Sequence, residues 1–238
     1  MDEDGVEPIK PSLETCAIDG QLAIIAGSDT AATALAHLWY FLLSQPQCFN
    51  RLRKEVDDAF PPGEDSLMDL ARQGAMPYLN ACMLTTQGCI WDGRKNGWST
   101  LGSLNSFVPD GTQVAAWAYS IHRDPKHFSP LPNAFWPDRW LSQEKFVLPS
   151  GEAISQDQVI TERDVFLPFS LGPMVCAGKN VAMTEMRAVV CAVMQQFDIE
   201  IADRSCVDSW EDDVHEIFVT SRGTLPVLLK SRSLPTLI

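Results

Sequence analysis

Apolar residues recur with a helical period in several stretches of the chain. Residues 46–60 place an apolar side chain at every third or fourth position, which puts these side chains on one face of a helix. Residues 179–197 repeat that spacing over more than four turns. Pro77 suits the first turn of a third helix, because proline needs no partner for a main-chain N–H there. The pattern therefore predicts a mainly α chain.

The most apolar stretch is residues 22–43, in which Asp29 is the single formal charge. Its length alone would fit a helix that crosses a membrane. However, an aspartate at the centre of a bilayer costs about 2.5–3.5 kcal/mol, and no Lys or Arg lies close to the stretch. We favour a long helix over about 16–43 that is buried inside the protein. Residues 1–15 are acidic and contain proline, which predicts a flexible start.

Short β segments and irregular structure complete the predicted fold. Residues 217–220 and 225–229 flank a Ser-Arg-Gly-Thr turn and predict a terminal hairpin. Residues 123–150 are rich in proline and aromatic side chains, which indicates an irregular but packed segment. From about 88 to 107 the period is lost, and Gly and Trp interleave in a pattern that fits neither helix nor strand. The predicted fold class is mainly α with small β-hairpins.

The composition excludes several classes of function. The 238 residues carry a net charge of −13, which argues against nucleic acid as a partner and against a basic membrane-binding patch. The seven cysteines include no Cys-x-x-Cys pair, so zinc ribbons and thioredoxin-like motifs are excluded. No secretory signal opens the chain. We therefore expect a reduced, intracellular environment in which most cysteines are core residues.

The strongest candidate for chemistry is a cysteine in a loop just before a predicted helix. The loop at 169–179 is Phe-Ser-Leu-Gly-Pro-Met-Val-Cys-Ala-Gly-Lys. At Cys176 the free N–H groups and the dipole of the helix N-terminus would favour a thiolate. Gly172 and Gly178 would let the backbone approach a flat ligand closely. A lone thiolate suits a haem iron, because the porphyrin supplies the in-plane ligands.

This loop resembles the haem-binding signature of the cytochrome P-450 superfamily, the haem-thiolate monooxygenases. Two further segments resemble the same family, in the family's order. Ala-Gly-Ser-Asp-Thr at 26–30 resembles its oxygen-activation motif, and Phe-Trp-Pro-Asp-Arg-Trp at 135–140 resembles a conserved segment upstream of the haem loop. The positions that match the spacing of the haem signature are Phe169, Gly172, Cys176 and Gly178.

The resemblance implies the C-terminal portion of the cytochrome P-450 fold, incomplete, over residues 16–238. It implies that Cys176 is the axial ligand of the iron of haem b and that Phe169 packs near the ligand sulfur. Asp29 and Thr30 would deliver protons to bound oxygen. Electrons would come from NADPH through an NADPH-cytochrome reductase. One atom of dioxygen would enter an apolar small-molecule substrate.

The sequence departs from the family pattern at several positions. After Pro-Tyr-Leu at 77–79 the family carries Glu-x-x-Arg, but Thr85 and Gly88 stand in those places. Arg139, which the resemblance pairs with that motif, would lose its partners, and a broken buried pair costs about 3–5 kcal/mol. We therefore predict that Arg139 is either exposed or newly paired. Our hypothesis is that residues 83–107 are an anomalous insert, translated from a wrong frame or a retained intron.

Met174 stands where many relatives have Arg or His in contact with a haem propionate. Its side chain can still pack on the porphyrin, while another donor would have to bind that carboxylate. We therefore keep Met174 among the expected haem contacts.

Two alternatives remain open. The resemblance begins just before the oxygen-activation helix, and the N-terminal anchor that often holds the family at the endoplasmic reticulum is not seen. This favours a truncated chain that is a non-catalytic haem-binding or folding-defective remnant. The other alternative is an unrelated α-helical interaction protein whose long apolar helix docks on a partner. Localisation stays open beyond the expectation of an intracellular protein.

Overall fold

The computed structural model describes residues 11–61, 64, 69–89, 117–210, 212–215 and 220–232. The helices are α1 (Leu13–Ser44), α2 (Pro46–Ala59), α3 (Leu70–Gly74), α4 (Pro77–Cys89), α5 (Ala118–His122), α6 (Lys179–Gln196) and α7 (Ser205–Ser209). The strands are β1 (Phe128–Ser129), β2 (Lys145–Val147), β3 (Ala153–Ser155), β4 (Ile160–Thr161), β5 (Phe197–Ile201) and β6 (Val227–Ser231). The predicted class, mainly α with small β-hairpins, is confirmed.

Helix α1 is one unbroken helix with two environments. It begins at Leu13, where the Ser12 hydroxyl accepts the N–H of Thr15 at 3.0 Å, so the predicted flexible start does not extend to residue 15. From Ala31 onward the helix packs on the core, but the residues before it are exposed. The prediction of a buried helix is therefore wrong for its first half, which none of the described segments covers. In the ranges that the structure describes, we find no helix with the length and hydropathy to cross a membrane.

The core lies between the second half of α1 and helices α2, α4 and α6. Each of these helices turns one apolar face inward, as its spacing predicts. Fully buried side chains from the four helices meet in one cluster. They include Leu42, Leu52, Val56, Leu79, Val190 and Met194. Burial of a side chain of this size contributes roughly 1.5–3 kcal/mol, so this cluster is the main support of the fold.

The C-terminal strand pairs with the strand that follows α6. β6 runs antiparallel to β5, with Phe197 opposite Ser231 and Ile201 opposite Val227. Arg232 then donates to both carboxylate oxygens of Asp57 on α2, at 2.8 and 2.9 Å. The strand was predicted to pair with residues 217–220, of which 217–219 lie outside the described residues, and the partner that the structure shows is β5.

The proline-rich segment before the cysteine loop is packed, as predicted. It contains two short antiparallel pairs, β2 with β3 and β1 with β4. Trp136 packs edge-on against Phe146, with ring centroids 5.8 Å apart. The ring centroids of Trp140 and Phe166 are 4.6 Å apart. These aromatic contacts hold a segment with little regular structure in place. Phe166, just before the cysteine loop, therefore has a defined position.

Candidate functional site

The cysteine loop is closed by its own backbone. The N–H of Cys176 donates to the carbonyl oxygen of Phe169 at 2.8 Å, and the N–H of Val175 donates to that of Gly172 at 3.1 Å. Gly172 has a φ of +63°, a region that costs residues with a Cβ roughly 1–2 kcal/mol. Glycine adopts this turn conformation without that cost, although Ser170 in the same loop also has a positive φ, of +62°. The glycine that the sequence pattern singled out makes the tight return of the loop possible.

The thiol of Cys176 is exposed at the N-terminal end of α6. A Cβ placed on Gly178 would lie 3.8 Å from the Cys176 sulfur, which is an ordinary van der Waals contact, so Gly178 is a direct neighbour of the thiol. The helix then starts at Lys179 and continues for 18 residues. The N-terminus of a helix carries free N–H groups and positive potential, which favour a thiolate. The structure therefore brings together three of the predicted residues: Phe169, Cys176 and Gly178.

The surface around the thiol fits a flat apolar group. Leu171, Val175 and Val181 are large apolar side chains that the structure leaves exposed around this loop. Phe169 is partly buried against the main core, and the Lys179 ammonium lies 5.9 Å from the centre of its ring. Among the described residues, no group of three or more His, Cys, Asp or Glu could hold a metal ion. A lone thiol with apolar neighbours suits a metal that brings its own in-plane ligands, as in haem.

Asp29 and Thr30 lie on the exposed half of α1. The hydroxyl of Thr30 donates to the carbonyl oxygen of Ala26 at 2.6 Å, the usual bond of a threonine within a helix. Helix α1 contacts α6, the helix that follows the cysteine loop. In the described ranges, no hydrogen bond joins Asp29 or Thr30 to the loop itself. Their predicted role in proton delivery thus stays a prediction.

Arg139 is buried, with 7% of its surface exposed. Of the two predicted outcomes, an exposed side chain or a newly paired one, the structure shows the second, and the new partners are neutral. Its Nη2 donates to the carbonyl oxygens of Pro130 and Leu131 at 2.6 and 2.8 Å, because the chain turns back over the guanidinium there. Its Nη1 has no hydrogen-bond partner. Burial lowers the pKa of Arg139 to about 10, so the group remains a cation at neutral pH.

The positions at which the family motif is lost lie beside Arg139. Thr85 and Gly88 are on α4 and line the same cavity as Arg139. The Thr85 hydroxyl donates to the carbonyl oxygen of Ala81 at 2.7 Å. Residues 83–89 are thus helical, while 90–107 of the anomalous segment lie outside the described residues, as does the side chain of Met174.

Two contacts that position the site were missed by sequence reasoning. The Nε2 of His122 accepts the N–H of Leu167, just before the cysteine loop, at 2.9 Å. The carboxylate of Glu55 accepts the N–H groups of Tyr78 and Leu79 at 2.8 and 2.7 Å and so caps α4. The only signal for the second contact is that no side chain able to cap a helix directly precedes Pro77.

The comparison with known families agrees with this geometry. The model of the cytochrome P-450 family matches residues 5–87 and 101–225. This chain therefore belongs to the cytochrome P-450 family. The matched stretches include α1, the buried Arg139 and the whole cysteine loop. The residues between the two matched stretches, 88–100, fall within the segment that has the anomalous composition.

Three similar curated proteins come from fungi. The chain is 33% identical over 78% of its length to cytochrome P-450 monooxygenase apf7 of Gibberella fujikuroi, of which it covers 34%. It is 29% identical over 92% of its length to cytochrome P-450 monooxygenase astJ of Aspergillus oryzae, and over 91% to the trichothecene C-15 hydroxylase of Fusarium sporotrichioides. It covers 42% of each of these two. The chain thus spans well under half the length of these relatives.

Proposed function

We propose that this chain carries the haem-ligating part of a haem-thiolate monooxygenase. The observation that supports this most is the exposed Cys176 thiol at the start of α6. It lies on a loop that the bond to Phe169 closes, inside the stretch that the family model matches. Cytochrome P-450 relatives named as monooxygenases cover most of the chain.

Each residue of the loop has a proposed part in holding haem b. Cys176 would supply the thiolate that holds the iron, and the N-terminus of α6 would stabilise its charge. Gly172 and Gly178 keep side chains away from the approach of the flat group. Phe169 packs near the sulfur and excludes water from it, and Met174 contacts the porphyrin. Haem, when bound, supplies the redox chemistry of oxygen activation, while the protein supplies ligation and surroundings.

Asp29 and Thr30 are proposed to move protons. The carboxylate of Asp29 faces solvent, so it can exchange protons with water. The Thr30 hydroxyl can pass a proton onward by turning from the Ala26 carbonyl oxygen, which is its present acceptor. A carboxylate and a hydroxyl that are adjacent on one helix can thus form a short relay.

The reaction proposed is the insertion of one atom of dioxygen into an apolar organic substrate, while the other atom leaves as water. Two electrons come from NADPH through an NADPH-cytochrome reductase. One relative is named as a hydroxylase, which supports hydroxylation as the class of reaction. We also propose an intracellular location for this chain.

The test is the reduced carbon monoxide difference spectrum of the haem-supplemented protein. We expect the red-shifted Soret band of a thiolate-ligated iron in the wild-type chain. Cys176→Ser removes the ligand and should abolish that band. Cys16→Ser is the matched control, because Cys16 is also exposed but lies at the start of α1. A wild-type chain that is folded and has no such band contradicts the proposal.

Turnover separates an active protein from a non-catalytic haem-binding one. With the reductase and NADPH, an active chain consumes dioxygen and oxidises an apolar probe, and Thr30→Ala lowers the product formed per NADPH. A chain that gives the thiolate-type spectrum but no product would be a haem-binding remnant of the family.

We also propose that the segment 83–107 results from a wrong frame or a retained intron. The family match is interrupted at 88–100, and Thr85 and Gly88 stand where the family motif has its charged residues. Sequencing of the transcript tests this proposal. A spliced or frame-corrected product that restores Glu-x-x-Arg supports it, and a transcript that encodes the present sequence overturns it.

A further inference from the structure

A small cavity beside α4 is lined by several residues that carry N–H groups without acceptors. Its volume is about 20 Å³. Three of its lining residues, His122, Arg139 and Trp140, are more than nine-tenths buried, with 4%, 7% and 8% of their surfaces exposed. Each has a buried nitrogen without a hydrogen-bond partner: Nδ1 of His122, Nη1 of Arg139 and Nε1 of Trp140. A cluster of such groups is costly unless something binds them, because a buried polar group without a partner costs about 1–3 kcal/mol.

All three nitrogens are donors. The guanidinium of Arg139 and the indole of Trp140 can only donate. The imidazole of His122 accepts the N–H of Leu167 through Nε2, so this nitrogen carries no proton. Burial lowers the pKa of His122 to about 4, so the ring is neutral and its proton is on Nδ1. The ligand of this cavity must therefore accept several hydrogen bonds at once.

Size and charge together select the ligand. A cavity of this volume holds one water-sized particle, since a water needs roughly 10–15 Å³ of this kind of space. A water molecule accepts two hydrogen bonds and offers no charge to the buried guanidinium. A monatomic anion accepts hydrogen bonds from every direction and neutralises Arg139, whose other bonds go to uncharged carbonyl oxygens. A buried charge is stable when it is paired.

We propose that this cavity, lined by His122, Arg139 and Trp140, binds a small monovalent anion such as chloride. The anion takes the place of a carboxylate counter-charge, because the described residues provide none there. Thr85 and Gly88 also line the cavity, and the small side chain of Thr85 and the absence of one at Gly88 leave the space that the ion fills. The proposal does not depend on haem binding by the cysteine loop. It concerns the chain that carries Thr85 and Gly88, and a transcript that restores Glu-x-x-Arg would encode a protein without this site.

The test compares thermal unfolding in sodium chloride with that in sodium gluconate at equal ionic strength. Gluconate is too large for the cavity and acts as the inert salt. A ligand that binds only the folded chain raises the melting temperature. At a chloride concentration ten times the dissociation constant, the melting temperature should rise by about 3–6 °C in a chain of this size. Equal melting temperatures in the two salts overturn the proposal.

Substitutions locate the effect. Thr85→Glu puts a carboxylate into the cavity, so the chloride effect should vanish while the melting temperature in gluconate rises. Thr184→Glu is the matched control, because Thr184 also bonds to the carbonyl oxygen four residues earlier but lies on α6, outside the lining of the cavity. It should keep the full chloride effect. A chloride effect that persists in Thr85→Glu overturns the proposal.

A direct measurement covers the case in which a variant melts without a clear transition. Line broadening of chloride-35 in the NMR spectrum reports binding to the folded protein at ambient temperature. Trp140→Phe keeps the aromatic ring but removes one donor, and should weaken chloride binding about tenfold, as expected for one hydrogen bond to an ion. Broadening that is the same in wild type, Trp140→Phe and Thr85→Glu would show surface association and would falsify the buried site.

Discussion

The main-chain N–H of Cys176 donates to the carbonyl oxygen of Phe169 at 2.8 Å, so the cysteine loop starts and ends at one point. Phe169 is partly buried against the main core, and α6 fixes the other end of the loop at Lys179. The position of the exposed thiol is therefore set by backbone bonds on both sides and not by packing of its own side chain. Backbone changes in the loop should affect it most.

Gly172→Ala should destabilise the loop. The φ of +63° at Gly172 costs alanine roughly 1–2 kcal/mol, although no atom lies within 4 Å of the added Cβ. Urea unfolding should show this loss, and haem binding should weaken with it. Gly27→Ala makes the same chemical change in the middle of exposed α1, where alanine should stabilise by about 0.5–1 kcal/mol. Effects of the same sign in both variants would contradict the backbone argument.

Glu55→Gln should loosen the start of α4. The carboxylate accepts the N–H groups of Tyr78 and Leu79, and a carboxylate at a helix N-terminus interacts well with the helix dipole. The amide keeps one acceptor but places an NH₂ group against the other N–H, so a loss of about 1–3 kcal/mol is expected for a hydrogen bond to a charged group. Chemical denaturation measures it. Asp58→Asn is the control, since Asp58 forms an exposed pair with Lys54 and should change stability by less than about 0.5 kcal/mol.

His122 should make the protein less stable in acid. Burial lowers the pKa of His122 to about 4 in the folded chain, from 6.5 in the unfolded one. The unfolded state therefore takes up a proton first, and stability that is fully present above pH 6.5 falls as the pH drops toward 4. The loss amounts to about 3 kcal/mol over this range. Burial also lowers the pKa of His37, which adds in the same direction.

The measurement is the free energy of unfolding against pH in wild type and in His122→Gln. The amide oxygen of the variant can still accept the Leu167 N–H, but it does not titrate. The variant should lack about one proton of uptake on unfolding between pH 4 and pH 6.5. His215→Gln replaces an exposed imidazole and should leave the profile as in wild type. Parallel profiles for wild type and His122→Gln would rule out the buried neutral imidazole.

Gly223→Ala should create a clash in a well-packed corner. The added Cβ would lie 2.9 Å from Cε3 of Trp210 and 3.2 Å from its carbonyl oxygen. Trp210 is buried and stacks on Tyr40, with ring centroids 4.6 Å apart, so it has little room to move. Overpacking of this kind costs about 1–3 kcal/mol. Near-ultraviolet circular dichroism and urea unfolding should both change, whereas Gly20→Ala, with open space around it, should leave the aromatic signal unaltered.

The sequence predicted those parts of the fold that depend on local pattern. The apolar period placed α2 and α6 within a few residues of their observed bounds, because each helix buries one face, and Pro77 marked the start of α4. The loop at 169–179 was found for a similar reason, since the positions of its glycines and cysteine follow one another closely. Local pattern also separated the packed proline-rich segment from a flexible linker.

Contacts between distant residues were not predictable in this way. The residues at 225–229 predict a strand but do not identify its partner. Pairing with 217–220 or with β5 would satisfy the backbone N–H and C=O groups of this strand equally well. The carbonyl oxygens of Pro130 and Leu131 can replace a carboxylate beside Arg139 only once the chain has turned there. The exposure of the first half of α1 likewise depends on what packs over it, and a helical period cannot show that.

The exposed half of α1 gives the protein the character of an amphiphile. Ile18, Leu22, Ile24 and Ile25 each leave more than half of their surface in water, on a helix whose other half is anchored in the core. A probe such as anilinonaphthalene sulfonate should fluoresce on this stripe, and the protein should be retained by a phenyl column despite its net charge of −13. Mild detergent below its micellar concentration should cover the stripe. Detergent and protein concentration should therefore decide whether the chain stays dispersed or associates through α1.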